Sequence, residues 1–309
     1  LTCYDTYIDD WYSTGYGGII HTLGNKDLKW EKTNTYDVGA DFSIFRGALD
    51  MKVSYYNKRT VDLVTDVTIP SSSGFLSYTD NLGEVVNRGF EIILKSTLVN
   101  RPDFLLSVYG NLSHNKNEIL KVSPSLAAYN EKVNEYYNTN EVDRDYAKTL
   151  TKFVSGGSLT SIFGMRSLGI DPANGQEMFL KQDGSITYRW DASEQVIIGN
   201  TEPDAQGSFG LNAGYKNFFL YVSCLYEFGG QRYNYTLVDN VENADVYNFN
   251  VDKRVMTDRW QNVGDIAPLK DIKDRNITTR PTSRFVQDYN VLSLNALTVG
   301  YDFKPELIR

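Results

Sequence analysis

With two cysteines and two histidines in 309 residues, this chain has little from which to build a disulfide framework, a metal centre or a catalytic triad. Cys224 lies in an apolar run, where a thiol behaves as a small hydrophobe, and Cys3 is its only possible pairing partner. His21 and His114 lack the nearby ligands or base that zinc or a triad needs. No G-x-S-x-G elbow occurs. There is no run of about 18 apolar residues, so no transmembrane helix is available. Basic residues are also short. The 31 Lys and Arg against 39 Asp and Glu give a net charge of −8, which argues against nucleic acid, since phosphate binding needs clustered cations. The opening LTCYDTYIDD has neither the basic start nor the apolar stretch of a signal peptide.

Tyrosine is plentiful, with 22 Tyr against 15 Phe. Its ring is apolar at one end and wet at the other, which suits the girdle of a membrane barrel, although carbohydrate-binding proteins are rich in it too. At 41% hydrophobic the chain can bury substantial apolar area, as one large β domain or two small ones. Its mean hydropathy of −0.39 resembles that of a soluble protein. Barrel strands hide half their residues from lipid, so this value leaves both settings open.

The stretch from Gly24 to Phe45 organises the rest. From Thr35 onward Tyr36, Val38, Ala40, Phe42 and Ile44 fall on one face, and Thr35, Asp37, Gly39, Asp41 and Ser43 on the other. Side chains alternate with period 2 on a strand, so this is a β-strand with one apolar and one polar face. At ~3.4 Å per residue it is long enough to cross a bilayer at a tilt. Two carboxylates on its polar face suit a wet lumen wall, greasy outside and polar inside.

The same pattern recurs. A strand over 35–45 turns at Arg46-Gly47 into a second, with Leu49, Met51, Val53 and Tyr55 on one face. A connection over 58–86, containing IPSSSG at 69–74, leads to Phe90–Leu98, and Asn100–Asp103 turns the chain into Phe104–Ser113. A polar region over 114–160 is expected to hold a short helical piece around 117–137. Strands at 162–170 and 176–181 flank DPANG, strands at 208–216 and 218–226 flank Lys216-Asn217, and a connection over 229–289 precedes a last strand ending at Phe303. Residues 1–8 read as the end of a strand and 9–29 as an outside loop. Short and long connections alternate throughout. Outer-membrane barrels pair short periplasmic turns with long extracellular loops, and a soluble sandwich has no reason to keep one end short. The fold expected is all-β, an antiparallel meander of about nine or ten strands within a large transmembrane barrel of the 22-stranded plugged type.

Three features invite a sharper function. Asp171-Pro172-Ala173-Asn174-Gly175 offers oxygen ligands but lacks the spacing of an EF-hand loop, and reads as a plain turn. Asp37 and Asp41, four residues apart on a strand, lie ~13 Å apart, too far for a glycosidase pair, and read as lumen wall. Trp190, Trp260, Tyr136, Tyr137, Tyr233 and Tyr235 fall in long loops, where flat rings either stack on a ligand or pack loop against loop. No catalytic constellation survives, so the chain reads as a non-enzyme with no cofactor and no metal.

GNKDLKWEKTNTYDVGADFSIF, then YYNKRTVDLV and NLGEVVNRGFEI, resemble the SusC/RagA family of TonB-dependent outer-membrane transporters. GIDPANGQEMF at 169–179, IGNTEPDAQGSFGLNAGYKNFFL at 198–220, TDRW at 257–260 and SRFVQDYNVLSLNALTVGYDF at 283–303 continue the resemblance. It implies outer-membrane import of oligosaccharides or peptides, powered by TonB and assisted by a SusD-like surface lipoprotein. Such a protein carries a signal peptide, and KPELIR reads as a turn after a strand. Residues 1–309 are therefore expected to be a C-terminal portion of the barrel, lacking the plug and the TonB-contacting N-terminal region. The rival is a soluble or surface-attached all-β carbohydrate-binding module, which would bury its apolar faces against each other.

Overall fold

The alternating runs form long antiparallel strands that continue past the end of the apolar pattern. The structure is a computed structural model describing residues 3–7, 17–22, 24–68, 77–81, 83–138 and 147–303. Strands β1 (Cys3–Tyr7) and β2 (Gly17–Thr22) pair as a hairpin, so part of the loop expected at 9–29 is strand. β3 (Lys32–Ile44) and β4 (Leu49–Val61) follow, then the hairpin β5 (Val64–Thr68) and β6 (Ser77–Asn81). β7 (Gly83–Arg101) and β8 (Phe104–Val122), of 19 residues each, lead into helix α1 (Pro124–Asn138). Five short strands come next: β9 (Ser161–Gly164), β10 (Arg166–Ile170), β11 (Glu177–Leu180), β12 (Ile186–Thr187) and β13 (Val196–Asn200). β14 (Ala205–Tyr215), β15 (Phe218–Tyr233) and β16 (Val286–Tyr301) complete the order. IPSSSG at 69–74, KPELIR at 304–309 and the side chains of Cys3 and His21 lie outside the described residues.

Seven strands form one antiparallel meander in the order β3-β4-β7-β8-β14-β15-β16. Short turns close one end of it, around 45–48, 102–103 and 216–217, and excursions over 62–82, 123–204 and 234–285 leave the other. The expected connections 58–86 and 229–289 were too wide, and 114–160 began too early, because the strands stay hydrogen-bonded beyond their apolar stretch. The connection expected at 114–160 also runs on to 204. The helical piece begins only at Pro124. One expectation is corrected outright. β10 and β11 flank the DPANG turn as foreseen, but they join β12 in a small sheet inside the 123–204 excursion. Turn 171–175 is therefore no part of the wall, whose described strands number seven. Alternation identifies a strand without saying which sheet it joins.

Register sorts the side chains into two faces. One row runs Phe42, Met51, Leu94, Gly110, Phe209, Cys224, Leu294, and the next Ile44, Leu49, Ser96, Val108, Leu211, Val222, Leu297. Opposite them lie Asp41, Lys52, Ser54, Glu91, Asn111, Ser107, Asn212 and Thr298. The apolar face has aromatic margins. Phe104–Tyr215 and Phe218–Tyr301 pairs, with centroids 6.4 and 4.6 Å apart, mark the turn end. Phe90–His114 and Tyr226–Phe228, at 5.3 and 5.6 Å, mark the loop end. Paired aromatic girdles of this kind sit at the two interfaces of a bilayer. From Phe104 to His114, at ~3.4 Å per residue and a tilt of ~40°, the band is ~26 Å tall, matching a bilayer's apolar core.

The packed core lies elsewhere. Val38 and Val299 on the apolar face are 72% and 71% exposed, and no second sheet among the described residues covers them. A sandwich would bury that face. Buried apolar residues come instead from the loop end of the wall (Val85, Val86, Ile119) and from the excursions, as in the cluster of Ile162, Tyr233, Val238 and Phe285.

Gly89 shows how closely the polar face is packed. A Cβ there would overlap the His114 carbonyl oxygen and sit 2.6 Å from Cζ of Tyr56. Gly89→Ala is expected to cost ~1–3 kcal/mol by overpacking. Gly110→Ala, facing outward with Cβ of Phe209 3.8 Å away, should be near neutral. Thermal unfolding of the two variants checks the contrast, and equal losses would contradict it.

Candidate functional site

Asp37, Tyr56, Gly89 and Asn115 are successive partners across four strands and so share the polar face. Asp41 faces the same way, in an exposed ion pair with Lys52 at 2.9 Å. Near the loop end of this face, Tyr56 donates to Asn115 Oδ1 at 2.9 Å, and Asn115 donates to Glu202. Asn117 N–H donates to Glu202 Oε2 at 3.0 Å, while Asn117 Oδ1 accepts from Leu159 N at 2.9 Å and Ser158 Oγ at 3.2 Å. The 123–204 excursion is thus fastened to the polar face.

A buried ionic network then ties 123–204 to 234–285. Arg284, in the turn just before β16, donates to Glu177 Oε2 at 2.8 Å, to Glu242 Oε1 at 2.6 Å and to the Pro268 carbonyl at 2.6 Å. Thr282 donates to Glu177 at 2.7 Å and Thr279 to Glu242 at 3.2 Å. Arg259 donates to the carbonyls of Lys270 and Val241, and Lys270 Nζ to that of Ile277. Burial alone would push Glu177 up, but the Arg284 charge, with hydrogen bonds from Arg284, Ser167 and Thr282, holds its carboxyl below the usual range. Burial would likewise lower Arg284, yet Glu177 and Glu242 hold it above the usual arginine range. Burial lowers Lys270 and Arg259.

Because the pKa of Glu177 is depressed in the folded state, its stabilising share is present above the unfolded value of ~4.3. That share is lost as pH falls through the lower folded value. The near-ultraviolet circular dichroism of the packed Trp190 and Trp260 should therefore hold between pH 7 and 5 and decay only in stronger acid. Loss of signal between pH 7 and 5 would contradict this.

The six aromatics expected in loops divide by burial, and Tyr233 ends strand β15 instead, because that strand stays paired with β16 past its apolar stretch. Trp260 is buried and donates to the Pro172 carbonyl at 2.9 Å, capping the DPANG turn. Tyr137 is buried, donating to Lys148 O at 2.6 Å, and Tyr233 is buried against Phe285. Trp190 lies between Tyr137, 5.2 Å away, and the Arg280 guanidinium at 5.1 Å, and donates to Pro281 O. Tyr136 and Tyr235 are exposed at 39% and 40%, Tyr235 bonded to Thr149. Trp190 also lines a cleft of about 550 Å³ with Tyr188, Arg189, Asp191, Asp274 and Thr279. Its mixed charges and hydroxyls suit a polar ligand rather than a greasy one.

The ionic network was missed from sequence, yet a signal existed. Glu177, Arg259 and Arg284 stand in GIDPANGQEMF, TDRW and SRFVQDYN, three of the blocks that carry the resemblance. Blocks far apart in the chain that each contribute one buried charge meet at one place.

Known proteins show the same barrel. The family model described as TonB dependent receptor-like, beta-barrel matches residues 4–307. TonB-dependent receptor P3 of Formosa agariphila is 28% identical over 301 residues, covering 94% of this chain and 29% of that protein. TonB-dependent receptor SusC of Bacteroides thetaiotaomicron is 33% identical over 116 residues, 37% of this chain and 11% of its own. The RagAB peptide transporter superposes with a TM-score of 0.71 at 22% identity, over 97% of this chain and 32% of that one. The chain thus spans about a third or less of the proteins it matches. By that match along nearly its whole length it belongs to the TonB-dependent receptor β-barrel family, and its seven-stranded sheet is outer-membrane barrel wall.

Proposed function

We propose that this wall and its loops serve an importer that takes up oligosaccharides or peptides through TonB, with a SusD-like surface lipoprotein over the loops. In this reading residues 1–309 form a later part of the barrel, and the plug and TonB-contacting segment belong to other parts of the polypeptide. The observation that carries it is the single-ended arrangement: every long excursion leaves the wall at one end, and two of them lock together there. The tips of the 234–285 excursion expose Phe249, Val263 and Ile266. The fold shared with RagAB, a peptide transporter, supports import of peptides, and the blocks that resemble the SusC/RagA family support oligosaccharides as the other candidate cargo. Asp37 and Asp41 line the lumen, where water satisfies them. Trp190, Tyr136 and Tyr235 are placed for ligand contact, while Trp260, Tyr137 and Tyr233 hold the loops in shape. No bond-breaking step is needed.

A photo-crosslinker at Ile266 of the full-length protein in cells should capture a lipid-anchored surface protein. One at Phe45, in a short turn, should not. Capture from Phe45 alone would reverse the orientation. Unchanged uptake of labelled glycans and peptides by cells lacking the protein would remove the import assignment.

A further inference from the structure

We infer that Arg88 and Lys116 form a binding site on the outward face of the barrel for the phosphorylated headgroup of an outer-leaflet lipid. Arg88 and Lys116 are direct cross-strand partners on β7 and β8, both exposed, and they share a face with Phe90, Ile92 and Leu94. Like charges directly opposite each other on a sheet repel, so the pair needs a compensating anion. Among the described residues no carboxylate is ion-paired with either. The nearest carboxylates on that face lie farther from the apolar band. Glu118 is one row up, opposite Val86, and Glu84 is two rows up and already held by Arg59.

Position selects the occupant. The pair stands one row beyond the Tyr55–Phe90–His114 row that ends the apolar band at the loop end. At ~3.4 Å per residue and a ~40° tilt, that is ~5 Å above the hydrocarbon, where lipid headgroups lie. Asn57, the next partner along the row, adds a neutral hydrogen-bonding group. Two cations and an amide directly above a continuous apolar surface match an amphiphile with phosphate at its head and acyl chains below. In a chain of net charge −8, such a doublet is not explained by a general basic surface. The inference rests on the assignment of the apolar face to lipid.

Native mass spectrometry of the full-length protein in detergent, titrated with phosphatidic acid or with phosphatidylcholine of the same chains, tests it. Wild type should bind phosphatidic acid preferentially. With roughly fivefold affinity carried by each cation near an anionic surface, R88Q/K116Q should weaken that binding at least tenfold. K58Q/K95Q, which removes the same charge from the opposite face, should bind as wild type. Loss of binding in K58Q/K95Q instead would overturn both the site and the face assignment. No preference in wild type, or no change in either double variant, would overturn the site while leaving the face assignment standing.

Discussion

Arg284→Met is expected to unfasten the loop body while leaving the wall assembled. Arg284 is the only cation bonded to both Glu177 and Glu242 among the described residues, and the two carboxylates have side-chain exposures of 6% and 0%. Removing one partner of a buried ion pair costs ~3–5 kcal/mol, because the abandoned charge stays desolvated. Here two charges are abandoned, and Glu242 Oε2 already lacks a hydrogen-bond partner. Segments 162–180 and 238–285 should therefore lose hydrogen-exchange protection together, while β7 and β8 keep theirs. The triple variant R284M/E177L/E242L removes both carboxylates orphaned by the single change, leaves Arg259 and Lys270 bonded to backbone carbonyls, and should restore part of the protection, since an apolar cluster often replaces a buried ion pair without loss. Unchanged protection in the single variant, or a triple variant as loose as the single, would contradict the account.

The second large effect concerns the wall. Leu211 and Asn212 are neighbours on β14 that face opposite ways, Leu211 beside Val108 and Val222, Asn212 beside Ser107 and Tyr221. Leu211 lies near the middle of the apolar band, where an arginine facing lipid costs roughly 2–4 kcal/mol. Leu211→Arg should reduce barrel assembly in membranes, read as the folded, heat-modifiable form on a gel. Asn212→Arg, pointing into water, should assemble as wild type. The same test placed at Val38 would be weaker than its sequence context suggests. Register puts Val38 in the row of Tyr55, Phe90 and His114, at the loop-side margin of the band, where the penalty falls to ~0–1 kcal/mol.

That displacement shows where sequence reasoning stops. The faces of β3, β4, β14 and β15 were legible because lipid on one side and water on the other act on each strand separately, leaving a period-2 trace in every run. Height within the membrane was not legible, because it depends on stagger between strands. The extensions of β7 and β8 were hidden for a related reason. Asn115 and Asn117 are still in the ladder, but with water or loop on both sides alternation carries no hydrophobic signal. The loop body was the least visible. Glu177 and Arg284 are 107 residues apart, and nothing local to either announces the other. Burial, which decides whether a loop ring packs or presents itself, belongs to the folded loops, and Tyr233, read as a loop residue, ends strand β15.

The central claim is that one face of the sheet meets lipid and the other meets water. A spin-label scan along β15 tests it most directly, in full-length protein reconstituted in lipid and free of other cysteines. The native Cys224 faces outward beside Phe209 and Leu294, and Ser223 and Leu225 face the other way. Labels at 218, 220, 222, 224 and 226 should be accessible to oxygen, which partitions into the bilayer. Labels at 219, 221 and 225 should be accessible to a water-soluble nickel complex, Ser223 being buried on that face and left unlabelled. Strict alternation in that phase is the predicted result, and its reversal, or equal exposure of both sets to water, would contradict the barrel wall.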